Sequence, residues 1–384
     1  MTVQNLRDAL FAYKNREGIG IDFYSFAEEH IRQMRENGQK GSASVYVSAV
    51  NCLKDFKPEL SIQELRSDLL KEFENYMRRP RTITRNNGHS NITYHKEPMI
   101  NSGVLSYMSR LRALFNAAKE KYNDDNNDIT IIKHEPFVRY KMPVANMATK
   151  RSISEKEIAR IINYEPNKDD TQLLKQARDV FMMMIYLSGI NSIDLYYATP
   201  AIDGRINYNR HKTKRKRRDN APMSIQIQPE LQPLLEKYSD PANKYLLNFY
   251  KKYSDEKNFL RAIDKGLKSL GEKLNLSQKL TTYTARHSVA TILSNKLNTS
   301  VDDVAICLNH VDPNKAITLT YIRTDFSKVD NANRKFIEYI LEVAKKEKES
   351  INQKENTTFN ENQKQCVQRK KLHSERTKLE RLII

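Results

Sequence analysis

Residues 282–288 of the chain read Thr-Tyr-Thr-Ala-Arg-His-Ser. Downstream lie Leu-Asn-His at residues 308–310 and Thr-Leu-Thr-Tyr-Ile at residues 318–322. The reactive members of this ordered set are Arg286, His310 and Tyr321. A guanidinium and an imidazole can hold the charge of a phosphate, and a phenol can attack its phosphorus. The set therefore predicts covalent chemistry on a phosphodiester.

Tyr321 also has an ordinary interpretation. The chain contains 20 tyrosines, and a tyrosine ahead of an amphipathic helix usually packs against its neighbours. Its position after Arg286 and His310, rather than its residue type, favours the chemical interpretation.

The charge of the chain indicates a polyanionic partner. Its 384 residues carry a formal net charge of +18, with a pI of about 9.5. A hydrophobic content of 39% can fill the cores of two or three domains. No run approaches the ~18 apolar residues that span a bilayer, so we expect no membrane association. The three cysteines are scattered in no metal-binding spacing, which indicates a reducing cytosol and no disulfide framework.

Helical periodicity dominates the first part of the chain. Apolar residues recur at helical spacing over residues 23–36, 44–56 and 104–122. A capping box that begins at Ser61 predicts a further helix continuing through Met77. Between these helices, Asn-Asn-Gly at residues 86–88 lies in a basic stretch and favours a β-hairpin, with a surface loop as the alternative. The arginines of this hairpin, with Lys96 and Tyr94, would suit contact with DNA.

The second part of the chain reads as a separate domain. Residues 124–150 lose periodicity, which indicates a linker, and a capping box at Ser154 begins the next helix. Residues 172–189 form the most apolar helix and predict the centre of a core. The remaining expected elements are strands at 205–213 and 223–228, helices at 241–274, 285–296, 300–307 and 333–347, and a polar, mobile tail at 348–384.

Residues 205–218 form a basic run with eight lysines or arginines and no acid. Side chains two apart on a strand share a face, so we expect Arg210, Lys212 and Lys214 to point the same way. The tip at residues 215–218 would then meet phosphates. A lysine so held can protonate a leaving oxygen, helped by neighbouring cations that lower its pKa. The alternative is a solvated turn or a nonspecific basic patch.

Taken in order, these segments resemble the tyrosine recombinases, the phage-integrase family, and look closest to integrases of Bacteroides-type mobile elements. The resemblance rests on Gly-Ile-Asn-Ser-Ile-Asp-Leu at 189–195, Arg-His-Lys-Thr at 210–213, the stretch at 283–287, Asn-His at 309–310 and Tyr-Ile at 321–322. Residues 107–114 resemble the core-binding domain of that family. The implied fold is mainly α with a small antiparallel β-sheet, an all-α core-binding domain preceding a mixed α+β catalytic domain.

The resemblance also implies roles for single residues. Tyr321 matches the nucleophile, Arg286 the second arginine that binds the scissile phosphate, His310 the supporting histidine, and Lys212 the hairpin lysine that acts as the acid. The expected DNA-binding residues are Arg215, Lys216, Arg217, Arg218, Lys214, Arg110 and Arg112.

The chain departs from the family pattern at two positions. Asn191 stands where the family has its first arginine, and Tyr283 stands where the family has a histidine. Arg178 lies too far along its helix to substitute for that arginine, roughly 20 Å from Asn191. We expect Arg210 to supply the missing guanidinium. Tyr283 either donates a hydrogen bond in place of the histidine or packs at the entry of its helix.

We therefore expect a bacterial, cytoplasmic, nucleoid-associated recombinase that needs no metal or cofactor and acts on double-stranded DNA as a homotetramer, with a host DNA-bending protein as a further partner. The expected domains are an N-terminal segment (1–20), a core-binding domain (21–140, with the hairpin at 79–102), a linker (141–150), a catalytic domain (151–345) and a tail (346–384). Two alternatives stay open. One is a DNA-binding regulator or architectural protein of the same ancestry that no longer cleaves, and the other is an unrelated basic regulator or RNA binder.

Overall fold

The computed structural model describes residues 20–86, 88, 90–147, 150–311, 321–322, 324–350 and 353. The chain divides into two compact units with the boundary after residue 148, and each unit has its own hydrophobic core. The expected N-terminal segment, apart from Gly20, and nearly all of the tail expected to be mobile lie outside the described residues. Within the described ranges, no helix is long and apolar enough to cross a membrane.

The first unit consists of helices with one β-hairpin. Its helices are α1 (Phe23–Glu36), α2 (Lys40–Phe56), α3 (Ser67–Met77), α4 (Asn101–Tyr122) and the short α5 (Pro136–Arg139). The apolar faces predicted for α1, α2 and α4 are buried in one core, which confirms those helices. Helix α1 begins where the Asp22 side chain accepts a hydrogen bond from the Tyr24 backbone N–H.

The single helix predicted from Ser61 to Met77 is wrong. The capping box between Ser61 and Glu64 is present, but it closes only a 3₁₀ turn at Ile62–Glu64. Leu65 and Arg66 then leave the helical conformation before α3 begins. Ile62 and Leu65, on either side of the end of this turn, are both fully buried in the core.

The predicted hairpin is confirmed as an antiparallel ribbon of β1 (Arg81–Asn86) and β2 (Asn91–Lys96). Its arginines, however, do not project as expected for a DNA-touching finger. The guanidinium of Arg85 bonds to Asp55 at 2.5 Å, and Arg81 donates to the Met77 carbonyl at 3.0 Å. Both arginines attach the ribbon to its own unit, because Asp55 and Met77 lie on α2 and α3.

The second unit surrounds the apolar helix that the sequence predicted as its centre. Its elements are α6 (Glu155–Asn163), α7 (Gln172–Tyr186), α8 (Ser192–Tyr196), β3 (Arg205–Asn209), β4 (Pro222–Gln226), α9 (Gln232–Tyr238), α10 (Glu256–Lys273), α11 (Thr282–Asn295), α12 (Val301–Cys307) and α13, residues 327–350. Short 3₁₀ turns occur at Pro229–Leu231 and Asn248–Lys251. Helix α7 packs tightly on α10, where a Cβ on Gly266 would lie 2.6 Å from the Ala177 Cβ.

Two predicted elements of this unit end earlier or begin later than expected. The helix predicted from residue 241 starts only at Glu256, because the Asp240 carboxylate accepts backbone hydrogen bonds from Ala242 and Lys244 and holds a turn. Strand β3 ends at Asn209, and the chain then forms helical turns in which Thr213 and Lys214 both donate to the Arg210 carbonyl. The expected strand face shared by Arg210, Lys212 and Lys214 is therefore wrong.

Candidate active site

Arg286 lies at the centre of the candidate site. Helix α11 starts at a capping box formed by Thr281 and Thr284, which places Arg286 in its second turn with 6% of the residue exposed. Its Nη1 donates to the Gly189 carbonyl at 3.0 Å, and its Nη2 donates to the Leu308 carbonyl. Arg286 thus joins the loops that follow α7 and α12.

Gly189 allows the loop after α7 to lie this close to Arg286. It has a φ of +70°, a left-handed conformation that side chains rarely adopt, and an added Cβ would lie 3.0 Å from the Arg286 Cα. The glycine in the 189–195 stretch is therefore required by the packing of the site itself.

Arg210 supplies a second buried guanidinium, with 8% of the residue exposed. Its Nη1 donates to the Asn309 carbonyl at 3.0 Å, while its buried Nε has no hydrogen-bond partner among the described residues. Burial and the nearby charge of Arg210 lower the pKa of Arg286 to about 10. Within the described part of the chain neither guanidinium forms a salt bridge to a carboxylate, although Asp194 is close enough to act electrostatically on Arg286.

His310 faces this pair of cations. Its Nε2 lies 3.3 Å from Nη2 of Arg286, while the residue as a whole is exposed. Partial burial and the positive charges of Arg286, Arg210 and Lys212 lower the pKa of His310 to about 4. The imidazole is therefore neutral at neutral pH, and the exposed Lys212 is close enough to influence it electrostatically.

Asn309 is a residue whose role the sequence did not predict. Its backbone is left-handed, with a φ of 51°, and its Nδ2 donates to the carbonyls of Ala221 at 3.1 Å and Pro222 at 2.9 Å. Its Oδ1 accepts from Arg217 and its backbone carbonyl accepts from Arg210. Asn309 thus fastens the basic turn, residues 210–221, beside His310. The available sequence signal was an asparagine directly after a helix, where left-handed residues are common.

The Asn191 side chain is held by a hydrogen bond to a neighbouring carboxylate. Its Nδ2 donates to Asp194 Oδ2 at 3.2 Å, and the other oxygen of this buried carboxylate accepts from the His211 backbone N–H at 2.7 Å. Asn191 and Asp194 therefore hold the start of the basic turn. Arg178 is engaged elsewhere, since it donates to the Ile162 carbonyl at 2.9 Å.

Tyr283 lies at the rim of the site rather than within it. The residue is 49% exposed, and its ring meets the His287 ring edge to face at a centroid distance of 4.5 Å. The guanidinium of Arg151 lies 5.8 Å from the Tyr283 ring centroid. Burial, with the charges of Arg151 and Arg286, lowers the pKa of His287.

Among the described residues, no hydrogen bond links Tyr321 to Arg286, Arg210 or His310. Tyr321 is 85% exposed, and residues 312–320, which precede it, lie outside the described residues. The helix that follows it, α13, is anchored at Asn333, whose Nδ2 donates to the Tyr186 carbonyl at 2.8 Å. Tyr321 is thus near the start of an element fixed to the end of α7.

The expected DNA-binding residues occupy both units. On the basic turn, Arg215, Lys216 and Arg218 are exposed and Lys214 is half-buried, while Arg217 pairs with Asp219. On α4, Arg112 is exposed, and Arg110 lies with its guanidinium 5.8 Å from the Tyr46 ring centroid. No group of three or more potential metal ligands occurs among the residues that the structure describes.

The geometry of the cluster suits an anion with several oxygens. Two buried guanidiniums retain the capacity to bond outward, a neutral imidazole can donate or accept, and a lysine stands at the edge. Such preorganised donors stabilise charge that develops on a phosphate during its displacement.

Known proteins share this architecture. Residues 22–136 match the family model of the phage integrase SAM-like domain. Two structures of the Tn1549 transposon integrase in complex with circular intermediate DNA are each 12% identical and cover 83% of this chain and 99% of theirs, with TM-scores of 0.51 and 0.50. The XerH site-specific recombinase bound to difH substrate is 14% identical, covering 77% of this chain and 74% of its own, with a TM-score of 0.43.

Among curated proteins, no sequence matches the chain. The expected fold class, mainly helical with small antiparallel sheets, is confirmed. Residues 22–136 are thus similar to the phage integrase SAM-like domain, and the fold of the chain is similar to that of the Tn1549 transposon integrase.

Proposed function

We propose that this protein is a site-specific DNA recombinase that cleaves and rejoins strands through a 3′-phosphotyrosine intermediate. The observation that carries the proposal is the pair of buried arginines, Arg286 and Arg210, set against His310 without a carboxylate salt bridge among the described residues. Burying two cations together is costly unless an anion compensates them. A phosphodiester provides that anion.

In the proposed reaction, Arg286 and Arg210 bind the non-bridging oxygens of the scissile phosphate. The Tyr321 phenol attacks phosphorus and passes its proton to solvent, while the bond from phosphorus to the 5′ oxygen breaks. Lys212 gives a proton to that oxygen. A 5′ hydroxyl from a partner strand then attacks phosphorus and gives its proton to Lys212, while the bond from phosphorus to the Tyr321 oxygen breaks and the phenolate regains a proton from solvent. Electron pairs and protons balance without a metal or other cofactor.

Arg210 takes the place of the arginine absent at Asn191. Its guanidinium is buried, acts electrostatically on Arg286 and keeps Nε without a described partner. Asn191 serves the site indirectly through Asp194 and the basic turn. Tyr283, exposed at the rim, can turn its phenol towards a phosphate that enters the cluster.

The remaining assignments follow from this role. Residues 21–140 act as the core-binding domain and 151–345 as the catalytic domain, and both contact duplex DNA. Exchange between two sites needs four protomers, so we propose a homotetramer on DNA, assisted by a host DNA-bending protein. The proposed setting is the bacterial nucleoid, and the proposed affiliation is with the integrases of Bacteroides-type mobile elements.

The test is covalent capture. The full chain is incubated with a pool of nicked duplexes of randomised sequence, and strands that stay attached to protein in denaturant are sequenced. We expect a denaturant-stable adduct with a defined sequence, its absence in Tyr321→Phe, and a loss of about 10²–10³-fold in adduct rate in Arg210→Ala. An Arg210→Ala protein that forms adduct as fast as the original chain contradicts the role of Arg210.

One specific observation favours a second function. Asn191 and Tyr283 stand where the resemblance implies two phosphate-binding residues, and Tyr321 is 85% exposed. A DNA-binding regulator that no longer cleaves would fit these facts. It predicts salt-sensitive duplex binding without adduct under any condition, the opposite result of the capture experiment.

A further inference from the structure

The β1–β2 ribbon of the first unit has two chemically different faces. Its register places Thr82 opposite His95, Thr84 opposite Thr93 and Asn86 opposite Asn91 on one face. All six of these residues are exposed. This set, Thr82, Thr84, Asn86, Asn91, Thr93 and His95, is called the outer face below.

The opposite face attaches the ribbon to the helices. Ile83 is 8% exposed, Arg85 bonds to Asp55 at 2.5 Å and Arg81 donates to the Met77 carbonyl at 3.0 Å. The side chains of a strand alternate between faces, so fixing this inner face directs the outer face to solvent. The ribbon is therefore a supported projection rather than a loose loop.

The outer face is polar but carries no lysine, arginine or carboxylate. Its hydroxyls pair across the strands, with Thr84 Oγ1 at 3.3 Å from Thr93 Oγ1 and Thr82 Oγ1 at 3.0 Å from His95 Nδ1. Each hydroxyl keeps further hydrogen-bonding capacity, and each threonine presents a methyl group. Nonspecific binding to phosphates depends on lysine and arginine, which this face lacks, whereas its hydroxyl, amide and methyl groups can contact base edges.

We propose that the outer face enters the major groove of duplex DNA and reads base sequence there, an inference that rests on the proposed DNA-binding function. The major groove admits a two-stranded β-ribbon, and threonine and asparagine can pair with base edges or contact the thymine methyl. Charge supports this occupant. Residues 78–96 contain no aspartate or glutamate, and Arg79 and Lys96 are exposed at the base of the ribbon, where they can meet phosphates.

The size of the ribbon sets the size of the sequence it reads. Six residues at ~3.4 Å each give a length of roughly 20 Å, which spans about six base pairs along the DNA axis. Successive outer-face pairs are roughly 7 Å apart, about two base pairs. The ribbon should therefore read one contiguous block of about four to six base pairs.

The experiment compares specific with nonspecific affinity. The full chain first selects a preferred duplex from a randomised pool, and a scrambled duplex of equal composition serves as the nonspecific probe. The double variant Thr84→Val/Thr93→Val keeps the β-branched shape of both side chains and removes only the hydroxyls, and Asn91→Ala removes an exposed amide. We expect each to lower affinity for the selected duplex by roughly 10-fold. Affinity for the scrambled duplex and the salt dependence of binding should not change.

Arg79→Ala is the matched control for a phosphate contact. It should weaken binding to both duplexes alike and reduce the salt dependence. Thermal unfolding of each variant checks the fold, and Asn91→Ala alone carries the test if the double variant is unstable.

The inference is overturned if the ribbon variants lose affinity equally for both duplexes, or if they select the same block of sequence as the original chain. Duplex binding with no ribbon-dependent sequence rejects this inference and leaves the proposed function standing. Failure of the original chain to bind any duplex at low salt rejects the proposed function itself.

Discussion

At the scale of single residues, the site depends on cations whose ordinary partners are absent from the described part of the chain. Arg286 and Arg210 bond to backbone carbonyls, and His310 faces Arg286. The sequence identified all three residues, and it anticipated that Arg210 would join the cluster. It missed Asn309, because the use of one amide as a bridge between two loops depends on distances that no local pattern encodes.

The pKa of His310 should report its burial and the positive charges of the cluster. Burial and the neighbouring positive charges hold the pKa at about 4, so between pH 6.5 and 4 the unfolded chain binds a proton that the folded chain does not bind. Stability should therefore fall as pH decreases through this window. An NMR titration of the imidazole should give a value far below 6.5, and Arg286→Gln should raise it. A His310 that titrates near 6.5 in the free protein contradicts this electrostatic account.

A substitution of Asn309 can separate the contribution of its left-handed backbone from that of its side-chain hydrogen bonds. Asn309→Gly retains a residue suited to φ 51° but removes the bonds to Arg217, Ala221 and Pro222. The basic turn then loses its anchor, so we expect adduct formation to slow by roughly 10- to 100-fold with little change in affinity for DNA. Single-turnover cleavage and equilibrium binding measure the two quantities.

Asn298→Gly is the control for this variant, because Asn298 has the same left-handed backbone, with a φ of 51°. An equal effect of both substitutions on cleavage would show that Asn309 acts through the backbone alone.

At the scale of elements, helices with a regular apolar face were predictable and their interruptions were not. The periodicity of α1, α4 and α7 is a local property, and these helices appear within a few residues of the predicted bounds. The break at Leu65 and the turn held by Asp240 instead depend on burial and on side-chain hydrogen bonds to the backbone. The strand predicted over residues 205–213 instead ends at Asn209. Its partner strand β4 begins only at Pro222, because Asn220 and Ala221 have left-handed backbones that a strand cannot contain.

The contact between α7 and α10 should be intolerant of added volume. Gly266→Ala places a methyl group 2.6 Å from the Ala177 Cβ and 2.7 Å from the Leu173 carbonyl oxygen, so the helices must separate. We expect the free energy of unfolding to fall by about 1–3 kcal/mol. Gly41→Ala in α2 meets no atom within 4 Å and should raise stability by about 0.4–1 kcal/mol. Denaturant melts of both variants give the comparison, and a neutral Gly266→Ala would be inconsistent with this packing.

At the scale of the whole molecule, net charge and the order of the motifs indicated the kind of partner and the fold better than any single segment did. The charge of +18 pointed to a polyanion, and the order of the motifs pointed to a fold that the structural comparison bears out. Neither could place Tyr321, because the approach of a nucleophile to a bound phosphate depends on the DNA itself.

The most direct test of the central claim locates the covalent bond. Adduct from the capture experiment is digested with nuclease and protease, and the nucleotide-bearing peptide is sequenced by mass spectrometry. We expect a phosphotyrosine link at Tyr321, in the peptide that leads into α13. A link at any of the other tyrosines, or no link at all from an intact, DNA-bound protein, would contradict it.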